Sequence, residues 1–137
     1  MEIYTFNLAK QLIQQIIEVV VLIPNRGVAS TEEYNYEGVR VIKYAENSEE
    51  DRAMILGKKK PDGLELFGEL LIKEKPTLVH FHELAPGRGF NIFHVEKAYQ
   101  LKIPIAITFH VPFYAGQFSP LRYKNNDTSD VEIKVAE

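Results

Sequence analysis

Residues 78–110 read LVHFHELAPGRGFNIFHVEKAYQLKIPIAITFH, and this stretch decides the fold. Leu78 to His82 is a short apolar run that predicts a strand. Ala85 to Phe90, with Pro86, Gly87 and Gly89, is a turn-rich loop. Asn91 can cap a helix, whose inward face would be Ile92, Val95, Ala98 and either Tyr99 or Leu101. Pro104 to His110 then predicts another strand. Strand, helix and strand in this order give a parallel pair with a crossover helix on one face.

The pattern extends upstream. Phe6, Ala9, Leu12, Ile13, Ile16 and Ile17 recur at three- and four-residue spacing and make one apolar helical stripe. The helix has no Gly stop and runs into Val19 to Ile23. That β-branched run predicts a strand buried on both faces, ended by Pro24-Asn25-Arg26-Gly27. Val28 to Glu37 is polar and reads as loop. Gly38 to Tyr44 alternates in part, which predicts a second strand near a sheet edge. Glu46 to Arg52 is acidic and opens a short helix, and Lys58 to Lys60 form a solvated corner. Leu64, Phe67, Leu70 and Leu71 mark a further helix closed by Lys73-Glu74-Lys75-Pro76. The expected fold class is therefore α/β, with a mostly parallel sheet and helices on both faces. Residues 122–130 are polar, while Val131-Glu132-Ile133-Lys134-Val135 alternates as a half-buried strand would. The expected division is a domain over 1–121 and a polar tail over 122–137 with an extra strand at 131–135.

The 137 residues suit one domain of ordinary size. A barrel of eight β/α units, which needs roughly 250 residues, is excluded. A net charge of −3 gives no pull toward nucleic acid or an anionic membrane. With no Cys there are no disulfides, thiolate chemistry or Cys-type zinc sites. Ile16 to Ile23 is too short to span a bilayer, and the N-terminus lacks the pattern of a signal peptide. A reducing, cytoplasmic setting is the expectation, with no cofactor and no nucleic-acid partner.

In open α/β sheets, ligands bind beyond the carboxyl ends of the strands. Three strand ends carry unusual residues: Asn25-Arg26-Gly27, His80-Phe81-His82-Glu83 and His110-Val111-Pro112. Gly87-Arg88-Gly89 precedes a helix N-terminus, where backbone N–H groups and the helix dipole favour an anion. Arg88 could add a bidentate contact to phosphate or carboxylate, or be the solvated side chain of a Pro-Gly turn. The stretch departs from the dinucleotide fingerprint because Ile92 stands at the third Gly position. Gly57 to Gly63 has only a superficial likeness to a phosphate loop and lacks the Lys-Ser/Thr that would follow. His80 and His82 share a strand face, and with His110 they could in principle hold zinc. No Asp or Cys stands at a helpful spacing, so no metal is expected. His80 reads as a hydrogen-bonded core residue and His94 as structural or exposed. Glu83 could position a hydroxyl or act as a base, or be a surface carboxylate.

The segments EIYTFNLAKQL, EVVVLIPN, LVHFHELAPGRGFNI and AYQLKIPIAITFHVPFY together resemble the N-terminal, acceptor-side domain of GT-B glycosyltransferases of family 4 (glycosyltransferase group 1). The resemblance covers roughly Glu2 to Tyr114. His80-Phe81-His82 and Lys102-Ile103-Pro104 leading into Thr108-Phe109-His110 are its most specific parts. It implies a Rossmann-like three-layer domain that faces a second, donor-binding domain. It implies that His110 is catalytic, contacting the transferred sugar or its diphosphate. It also implies that the loops at Asn25-Arg26 and from Glu83 to Phe90, with His82, contact the acceptor. The implied partners are a nucleotide-sugar donor, held by a C-terminal domain, and a glycan or lipid-linked acceptor. Transfer would retain the anomeric configuration without metal, and a parent enzyme could lie peripherally on a membrane.

Three departures from the family pattern shape further expectations. The usual first strand and its Gly-Gly loop are missing before Glu2. Ile16-Ile17 stands where the helix-to-strand turn normally carries Gly-His, so the usual C-cap is lost. The donor domain is absent. The chain is thus expected to be a fragment truncated at both ends and inactive alone. In the doubly wound order the missing strand is central, so Val19 and Leu78 would flank a gap of about 4.8 Å on each side. Unpaired backbone groups there are costly. Direct re-pairing of the flanking strands, the Val131 to Val135 strand, or a second chain in a homodimer could close it. The alternative function is a non-catalytic phosphate- or sugar-binding, or dimerising, α/β module.

Overall fold

The computed structural model describes residues 2–46, 52–55, 58–82 and 90–109. The elements are α1 (Glu2–Gln14), β1 (Val20–Arg26), β2 (Glu32–Tyr36), β3 (Val39–Glu46), α2 (Arg52–Ile55), α3 (Leu64–Glu74), β4 (Val79–His82), α4 (Ile92–Gln100) and β5 (Ile105–Thr108). The alternation is α/β, as the sequence predicts. The strands form two sheets, ordered β1-β3-β2 and β4-β5. β1 and β3 are parallel, with Val20 opposite Arg40 and Arg26 opposite Glu46. β4 and β5 are parallel, with Val79 opposite Ile105.

Helix α1 ends without glycine. The Ile16 N–H donates to the Ile13 carbonyl at 2.9 Å and the Ile17 N–H to the Leu12 carbonyl at 3.1 Å. Ile16 sits at φ 65°. This is the paired bonding of a left-handed helix stop, normally served by Gly. The expected loss of that cap is corrected: the turn forms, and a β-branched residue bears its strain. Lys102 closes α4 in the same way, at φ 58°, with Ile103 N–H bonded to the Ala98 carbonyl. The side chain of Ile16 is 97% exposed, so it contributes no burial. Ile16→Gly is therefore expected to stabilise the fold by about 1 kcal/mol, read as a higher midpoint in urea unfolding.

Three further expectations are corrected. Part of the segment read as loop is β2, antiparallel to β3 with Tyr36 opposite Val39. The strands join through Glu37 and Gly38, at φ 47° and 89°, a two-residue hairpin of the type that needs positive φ at both positions. The Asn35 side chain accepts from the Gly38 N–H at 2.8 Å. Because β2 covers its outer side, β3 is the central strand of its sheet rather than near an edge. Conversely, β1 is only half-buried rather than buried on both faces. Among the described residues it shares its ladder with β3 alone and is not paired directly with β4. The Val131 to Val135 strand lies outside the described residues.

Three layers result. On one side Ala9 of α1 packs on Val39 and Val41, with Phe6, Ile13, Val19 and Val21 around them. On the other, α3 and α4 cover both sheets. Leu64, Phe67, Leu70 and Leu71 of α3, all buried, meet Ile42 and Tyr44 of β3, Phe81 of β4 and Ala98 of α4. The Phe67 ring lies 6.0 Å from Tyr44 and 6.4 Å from Phe81, so one side chain joins the two sheets. Arg40 adds a polar clamp, donating to both carboxylate oxygens of Glu74 at 2.7 and 3.0 Å and to Glu33 at 2.6 Å. The guanidinium holds the Glu33 carboxyl below its usual pKa.

The inward face of α4 also differs from expectation. Ile92 and Tyr99 are exposed, while His94 and Ala98 are buried. Val95, Ala98 and Leu101 pack on the core as predicted, and His94 is buried beside them because its polar atoms find partners, as described next. Among the described residues no helix is long and apolar enough to cross a membrane.

Candidate functional site at the strand ends

The carboxyl ends of β1, β3 and β4 meet the N-termini of α3 and α4. Gly63, at the start of α3, lies against Tyr44, Ala45 and Glu46. A Cβ there would sit 2.9 Å from the Tyr44 ring and 3.0 Å from the Ala45 carbonyl oxygen. The Tyr44 ring is fully buried and cannot swing away. Gly63→Ala is expected to cost about 1–3 kcal/mol through overpacking, measurable by equilibrium denaturation. Phe90, just before α4, packs 5.5 Å from Phe81, which draws the end of β4 to the same place.

Arg26 ends β1 and Glu46 ends β3, and their side chains point to the α3 side. Arg26 Nε stands 3.8 Å from Glu46 Oε1, whose side chain is 0% exposed. Tyr44 precedes Glu46 on the same face, and its hydroxyl lies 3.1 Å from His94 Nε2. The His94 ring is orientated from its other side, because the Asn91 N–H donates to Nδ1 at 3.0 Å. The Asn91 side chain in turn accepts from the Phe93 N–H at 3.0 Å, closing a reciprocal cap on α4. With Nδ1 accepting, the neutral ring carries its proton on Nε2 and donates to the Tyr44 oxygen. Burial, and next the positive charge of Arg26, push the His94 pKa down to about 4. Burial, with the Glu46 charge adding to it, pushes Tyr44 well above its usual range. Both rings are therefore neutral at pH 7.

A second cluster lies on the opposite face of β4. His80 Nε2 and Thr108 Oγ1 share a hydrogen bond of 2.7 Å between β4 and β5, so His80 is hydrogen-bonded within the fold as read, but half-buried rather than a core residue. Its ring stacks 4.2 Å from that of His82. Tyr4 of α1 lies 5.8 Å from His82. Among the described residues no three His, Cys, Asp or Glu side chains converge as a metal site would require.

Of the predicted site residues, Arg26 enters the buried polar cluster. Asn25, opposite Ala45, alternates to the other face of β1. His82 ends β4 beside His80. His110, Glu83, Gly87, Arg88 and Gly89 lie outside the described residues. The sequence reading missed Tyr44, Glu46 and His94 as members of one group. Asn91 and His94, spaced as N-cap and third helical residue, carried the available signal.

A family model described as Glycosyltransferase Family 4 matches residues 1–131. The chain belongs to that family. Searches of curated proteins and of solved structures returned no match. Family membership accounts for the α/β architecture, which is consistent with the Rossmann-like N-terminal domain of a GT-B glycosyltransferase. In the family 4 chain the polar cluster therefore lies at the end of the sheet where such folds bind ligands. The family as a whole implies sugar donor and acceptor substrates.

Proposed function

We propose that the chain forms the acceptor-side domain of a retaining glycosyltransferase that moves a sugar from a nucleotide-sugar onto a glycan or lipid-linked acceptor. The observation that supports this reading is the gathering of Arg26, Glu46 and the N-termini of α3 and α4 at the strand ends of a family 4 chain. Arg26 from one face of β1, and Asn25 and His82 from the opposite face of the strands, would reach the acceptor beyond the strand ends. Glu83, Gly87, Arg88 and Gly89 would complete that side through the loop before α4. His110, following β5, would donate a hydrogen bond as negative charge develops on the leaving diphosphate. The donor itself would be held by a second domain, so the 137-residue chain is expected to bind acceptor without turnover.

Titration with nucleotide-sugars and with glycans, followed by NMR, tests this. Glycan binding without nucleotide-sugar binding is the expected result. Binding of neither, or of the nucleotide-sugar alone, would remove the acceptor-side role. Sugar transfer or donor hydrolysis by the chain, abolished in His110→Ala, would overturn the expected inactivity while placing His110 in the chemistry.

A second reading, a non-catalytic dimerising module, is favoured by one feature. β1 and β4 each have an edge unpaired among the described residues, and such edges template pairing with another chain. Sedimentation velocity from low to high micromolar concentration separates the readings: a single monomeric species excludes the second.

A further inference from the structure

We draw no further inference here: the strongest candidate, the two strand edges of β1 and β4 left unpaired among the described residues over the common core, already supports the dimerising reading, and nothing in the structure shows what covers them.

Discussion

Phe67→Ala is expected to lower the unfolding free energy by about 3–5 kcal/mol, the range for deleting a large aromatic from a packed core. The ring is 1% exposed and touches Tyr44, Phe81, Phe90 and His94 at centroid distances between 5.1 and 6.4 Å. These neighbours come from β3, β4, the start of α4 and α4 itself. No ladder joins the two sheets among the described residues, so the cavity would open in the side-chain packing between them. Phe67→Leu, which keeps most of the volume, should cost far less, under about 2 kcal/mol. Urea denaturation followed by circular dichroism measures both. A loss below 1 kcal/mol for the alanine variant would show that the sheets are joined by other means.

Acidification is expected to remove about 3 kcal/mol of stability through His94 alone. The sign follows from the direction of the shift. Burial lowers the pKa of His94 to about 4 in the folded chain, against about 6.5 when unfolded. Above pH 6.5 the ring is neutral in both states and its contribution is fully present. As the pH falls from 6.5 to 4, only the unfolded chain takes up the proton, and stability falls. Below pH 4 both states are protonated and the loss levels off. Protonation at Nδ1 would also set a donor against the Asn91 N–H and break that half of the α4 cap. Denaturation midpoints measured across pH 7 to 4 should therefore slope less in His94→Gln than in the parent chain. Parallel slopes would refute the assignment, as would a His94 resonance titrating near 6.5.

The elements that could be read from sequence are those whose pattern is set by burial. Leu64, Phe67, Leu70 and Leu71 fall on one helical face, and all four are buried in α3. Asn91 announces α4 by its capping chemistry, which is local and independent of the rest of the fold. β2 was not legible, because Glu32 to Tyr36 is exposed throughout and has no apolar alternation to betray it. Its strand character comes from pairing with β3, and the only local clue was Glu37-Gly38 between Tyr36 and Val39. Missing the hairpin also misplaced β3, whose depth depends on the cover that β2 supplies.

The site divides along the same line. Arg26 could be found as a charged residue at the end of an apolar strand. Glu46 could not, because it begins an acidic stretch that reads as the opening of a short helix, whereas it ends β3. Its burial is a property of the packed strand end, between Arg26 and the start of α3. The place of His94 in this cluster was hidden for a related reason. A histidine on a helix is buried when three separate elements supply its partners, here Asn91, Tyr44 and the Phe67 ring. Hydropathy along one segment cannot register such a meeting.

The hairpin gives the larger sheet a direction of growth. β2 carries Glu32 on a strand that is exposed throughout, and a second copy approaching edge to edge would bring like charges together. No such barrier of charge guards β1, whose run from Val20 to Ile23 is wholly apolar. A second copy that extends this sheet is therefore steered to the β1 side rather than to β2.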